Sequence, residues 1–94
     1  MTVLLVGGIG KMSDAYRAAA ASVGASLLHA EHKLPSTPPR VDAVLVVVAV
    51  CSHPLLTAAR DLAAVQRAPI HYLRTASIST LRRALEEVCH APVH

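Results

Sequence analysis

Four short apolar runs recur along the chain, and the segments that follow the first, third and fourth carry apolar residues at helical spacing. The first run, Thr2 to Val6, stops at Gly7-Gly8, as a central strand does when it meets a tight turn. Tyr16, Ala19, Ala20 and Val23 then fall at i, i+3, i+4 and i+7, predicting a helix over Ser13 to Val23 with Gly24 as its stop. A second strand is expected at Ser26 to His29. Glu31 to Val41 holds Pro35, Pro38 and Pro39, so it reads as a loop. The third run, Ala43 to Val50, is continuously apolar rather than alternating, which marks a strand covered on both faces. Ser52-His53-Pro54 opens a helix with Leu55, Ala59 and Leu62 on one side. Beyond Pro69, Ile70 to Leu73 is a fourth strand, and Ser77 caps a last helix bearing Ile78, Leu81, Leu85 and Val88.

Strands alternating with helices imply right-handed crossovers and a parallel sheet. The expected fold is therefore α/β: a small Rossmann-like or flavodoxin-like three-layer domain with about four parallel strands. One domain over 1–88 accounts for the pattern, and 89–94 read as a C-terminal tail. In such sheets ligands sit outside the strand carboxyl ends. Those ends gather Gly7 and Gly8, His29 to His32, Cys51 to His53, and Arg74 to Ser77.

Composition refines this picture at three points. Hydrophobic residues make up 53% of the 94, but Ala and Val dominate, and Phe and Trp are absent. Small side chains bury little area each, so self-association into a homo-oligomer is expected. No apolar run approaches the roughly 20 residues that span a bilayer, and the N-terminus lacks a charged leader. A cytoplasmic protein with no membrane partner is expected, with Cys51 and Cys89 as free thiols. The formal charge of +3 comes from scattered Lys and Arg, and two Tyr are a poor supply of stacking rings. Nucleic acid is not the expected partner; an acidic small molecule suits the mild charge better.

Several motifs bear on the ligand. Gly7 to Ser13 resembles a phosphate loop, with Glu31 where a ribose-binding acid belongs. Ser13 replaces the third fingerprint glycine, and Met12 stands where magnesium binding needs Ser or Thr, so a plain strand-to-helix turn fits better. A phosphotransfer receiver would need an acid where Cys51 lies. Cys51 and His53, two apart, rarely face each other, which argues against a thiol dyad. His29, His32 and His53 offer nitrogen ligands for a metal, or one axial ligand for haem iron. His71 reads as structural, and His90 and His94 as parts of the tail. Arg74 to Ser77 combines a guanidinium with helix-start amides, a cradle for carboxylate or phosphate.

Val6-Gly7-Gly8, Tyr16-Arg17, His29, Asp42-Ala43-Val44, Ser52-His53 and Tyr72-Leu73-Arg74 through Ser77, in this order, resemble the bacterial family catalogued as domain of unknown function 2325. The likeness extends through Leu81 to Leu85. It implies a small oligomeric α/β domain, with haem and dioxygen binding suggested for some members. Gly7, Gly8, His29, Ser52, His53, Arg74 and Ser77 fall on the family's recurring positions. Its paired histidine after the second strand reads here as His29-Ala30-Glu31-His32, and the helical segment that follows is cut down to the proline-rich loop.

Two functions are expected to compete, ahead of a thiol or metal enzyme using Cys51 with His53 and of a purely structural interaction module. The first is a non-enzymatic haem-binding module that binds or senses dioxygen or another gas. His53 or His29 would ligate iron, with Ser52, Gly8 and Ser77 around the cofactor and Arg74 on a propionate. The alternative is a regulatory domain binding an anionic metabolite or nucleotide through Gly7 to Lys11, Ser52 and Arg74.

Overall fold

A computed structural model describes residues 1–89. It contains β1 (Thr2–Gly7), α1 (Ser13–Ala21), β2 (Ser26–Ala30), β3 (Ala43–Val47), α2 (His53–Gln66), β4 (Ile70–Leu73) and α3 (Ile78–Cys89). The four strands form one sheet in the order β2-β1-β3-β4, all parallel. This is the flavodoxin-like arrangement that alternating strands and helices require, with the switch point between β1 and β3. The helix of the described residues longest in sequence is α2, and none is long and apolar enough to cross a membrane.

Three layers follow from the two-residue period of the strands. Val3, Leu5, Leu45, Val47 and Leu73 pack against Tyr16 and Ala20 of α1 and against Leu81 and Leu85 of α3. The opposite side chains, Leu4, Val6, Val44 and Val46, pack against Leu55, Ala59 and Leu62 of α2. The central strands are thus apolar from Val3 to Val6 and from Ala43 to Val47, because neither face meets water there. The edge strands, with one lateral neighbour each, keep partly exposed residues.

Local signals set the helix ends. Ser52 caps α2 by accepting from the Leu55 amide at 3.3 Å, with Pro54 in the first turn. Ser77 does the same for α3, accepting from Thr80 N–H at 3.2 Å. Helix α1 has no such cap: a 3-10 turn at Gly10–Met12 leads into it, and the Ser13 hydroxyl is used elsewhere.

Five boundaries differ from the expectation; β1 and β2 each run one residue further, to Gly7 and Ala30. The third strand stops at Val47, and Val48–Val50 form a 3-10 turn. Val47 pairs with Gly7 on one side and Leu73 on the other, the last residues of their strands, so no ladder partner exists beyond it. Helix α1 ends at Ala21, and turn hydrogen bonds carry the chain to Gly24. Cys89, read as the start of the tail, ends α3; residues 90–94, with His90 and His94, lie outside the described residues.

Candidate functional site at the strand carboxyl ends

Gly7 and Gly8 leave β1 at φ +81° and +84°, a left-handed backbone that suits glycine. A Cβ on Gly7 would strike the Val50 carbonyl oxygen, and the Gly8 N–H donates to that same oxygen at 2.9 Å. The 3-10 turn after β3 therefore folds onto the crevice between β1 and β3. From the other side the Glu31 carboxylate lies against Gly10, in space that a Cβ there would need. The glycine turn is closely packed for these reasons. Its Gly8 amide is taken by Val50, its Ile9 amide by the Tyr16 hydroxyl at 3.3 Å, and Glu31 adds negative charge beside it. Nothing in that arrangement favours a phosphate.

His29, from β2, points toward α1. Its Nε2 lies 2.6 Å from the Gly7 carbonyl oxygen and its Nδ1 lies 2.5 Å from Ser13 Oγ. A carbonyl only accepts, so Nε2 carries hydrogen; Nδ1 of the neutral ring then accepts from the Ser13 hydroxyl. The Tyr16 ring meets the imidazole edge-on, with centroids 5.3 Å apart and planes at 89°. Both ring nitrogens are thus engaged, and iron ligation by His29 would break one of these bonds.

Tyr16 completes the same cluster. It is 1% exposed, and its hydroxyl donates to the Ala76 carbonyl at 2.9 Å while accepting from Ile9 N–H. One phenol therefore ties the β1–α1 turn to the β4–α3 loop. Sequence reasoning treated Tyr16 as an apolar helix position. A tyrosine bound for the core needs a hydroxyl partner, and that rule was the available signal.

The other half of the site lies across β1. His53 is the first residue of α2, exposed, and its ring has no hydrogen-bond or charged partner among the described residues. Just before it, Val48 and Val50 are 44% and 42% exposed, and Ile9, next to the Gly8 bonded to Val50, is 41% exposed. Exposed apolar side chains so gathered are worth an explanation. Ser52 spends its hydroxyl on the helix cap. Cys51 turns its thiol to the Ser52 carbonyl at 3.5 Å, not to His53, and burial pushes that thiol up from its usual range. An activated nucleophile would show the opposite shift.

Arg74 follows β4, exposed and without an ion pair among the described residues. Ser77 is bound up with Thr75 and Thr80 in the α3 cap. His32 is exposed and pairs with Glu31 at 2.9 Å. His29 reaches toward α1 while α2 covers the other face, so strand geometry separates His29 from His53. Among the described residues no three His, Cys, Asp or Glu side chains cluster as a metal cage.

No curated protein matches the chain. A family model does, over residues 2–88, nearly the whole sequence. The chain belongs to the bacterial family described as "Uncharacterized protein conserved in bacteria (DUF2325)".

Proposed function

We propose that this protein is a non-enzymatic haem-binding module of the cytoplasm, with His53 as the iron ligand. The observation that supports it is the exposed imidazole of His53, without a partner among the described residues, at a strand end that also exposes Val48, Val50 and Ile9. Haem suits such a site better than a bare cation does. The porphyrin brings four nitrogens of its own, so one protein ligand is enough, and its flat apolar faces need a platform rather than a cage. The two hollows on one copy are open grooves, one of about 340 Å³ that includes Arg74 and one of about 440 Å³ that includes His29; neither is lined by His53, Val48, Val50 or Ile9, so the macrocycle would rest on the surface. Arg74, at the neighbouring strand end, is free to pair a propionate.

The division of labour among the histidines follows. His29 holds the β1 turn through Gly7 and Ser13, and His53 is left for the ligand. Gly8, Ser52 and Ser77 shape the loops around it through their backbone and caps. Haem held by His53 would supply the iron chemistry for binding dioxygen or another gas. A surface this open leaves much of the macrocycle uncovered on one copy, so self-association belongs to the same proposal.

The test is expression with a haem precursor, followed by visible spectra of the oxidised and reduced protein beside His53→Ala and His29→Ala. A Soret band that survives gel filtration and is lost or shifted in His53→Ala alone is expected. A colourless protein that also refuses added haemin would overturn the proposal.

A further inference from the structure

The β4 edge of the sheet is open. β4 pairs with β3 on one side, and among the described residues no backbone group pairs with it on the other. Edge strands are commonly protected by a proline, an inward charge or a covering segment. Ile70-His71-Tyr72-Leu73 has none of these within it, and Tyr72 is 47% exposed. The opposite edge differs, since β2 is bordered by Lys33 and the prolines of the 31–41 loop.

Beside β4 runs a groove of about 340 Å³, between that strand and α3. Its helical wall is Thr80, Arg83, Ala84 and Glu87, spaced i, i+3, i+4 and i+7, a single stripe. The stripe carries one cation and one anion a turn apart. They form no ion pair with each other, nor with any other described residue. Their order is also the less favourable one for pairing inside a helix, where the acid is better placed first.

We infer that this groove is the contact surface for a second copy of the same chain. A two-fold axis perpendicular to the sheet sets β4 antiparallel to its copy and lays α3 antiparallel to its copy on the same face. With the axis between Arg83 and Glu87, each guanidinium meets the carboxylate of residue 87 on the other copy. The surface is self-complementary, as an isologous interface must be. The small Ala84 lets the two helices approach. The sheet continues through the interface into eight strands, which satisfies the open backbone groups of both edges. This interface does not rest on the haem proposal and is tested on protein without haem.

The experiment is light scattering and sedimentation of the wild-type chain, Arg83→Glu and Glu87→Arg, each alone and mixed. The wild type is expected to be a dimer. Each single variant sets like charges against each other twice and should dissociate at least about tenfold more readily. Mixing the two variants pairs an acidic stripe with a basic one and should restore a dimer containing one of each. A pair acting within one helix predicts no rescue by mixing. The inference is overturned by a monomeric wild type at every soluble concentration, by a dimer indifferent to both reversals, or by failure of the folded variants to pair on mixing.

Discussion

Tyr16→Phe removes one oxygen atom from the described core and leaves the ring in place. That oxygen accepts from Ile9 N–H at 3.3 Å and donates to the Ala76 carbonyl at 2.9 Å. Ile9 is 41% exposed, so water can replace its lost acceptor at little cost. The Ala76 carbonyl is half-buried against the tyrosine and has less access to water. One net hydrogen bond contributes about 1 kcal/mol, and a carbonyl left partly dry adds up to about as much again. A loss of roughly 1–2 kcal/mol is expected, which for a domain of this size lowers Tm by roughly 4–16 °C. Urea unfolding followed by circular dichroism measures it, with the slope unchanged because the surface exposed on unfolding is unchanged. Amide exchange adds a local signature: Ile9 N–H should lose more protection than Leu45 N–H, which sits in the central β3 strand. A variant within about 0.5 kcal/mol of wild type, the scatter of an ordinary surface change, would refute the bridging role of the phenol.

Two further outcomes follow from the histidines and the thiol. His29→Ala breaks the contacts to Gly7 and Ser13 and should cost about 1–3 kcal/mol in thermal or urea unfolding of haem-free protein. His53→Ala, at an exposed ring without partners among the described residues, should stay within about 0.5 kcal/mol; equal losses in both would erase the division of labour proposed for them. Cys51, held above the ordinary thiol range by burial, should be alkylated more slowly in native than in urea-unfolded protein near neutral pH. Its rate should climb as pH rises toward the raised pKa, because only then does thiolate accumulate. Native Cys51 reacting faster than the unfolded thiol would contradict that environment.

Much of the candidate site was legible before any tertiary contact was known, and the missing part has a consistent character. Gly7, Gly8, Ser52, His53, Arg74 and Ser77 all fall at strand carboxyl ends, where the alternating pattern puts them. What each does there was less visible. Ser52 and Ser77 are caps, as their positions before helices suggest, so their hydroxyls are committed. His29 and His53 look alike in sequence, yet among the described residues one has both nitrogens engaged and the other has neither. Ser13, sixteen residues before His29, and the Gly7 carbonyl make that difference.

The sequence by itself determined which segments are strands and helices and that the sheet is parallel. Those properties come from local periodicity, caps and the handedness of crossovers, all carried by residues near one another in the chain. Tertiary structure alone decided that β3 stops at Val47, that the Val48–Val50 turn closes onto Gly7 and Gly8, and that Glu31 lies over Gly10. It also decided that one stripe of α3 borders the outer edge of β4, which no described backbone group pairs. Each depends on which distant segment happens to be adjacent. A strand lasts only while its neighbours do, and a side chain is free only if no remote group has claimed it.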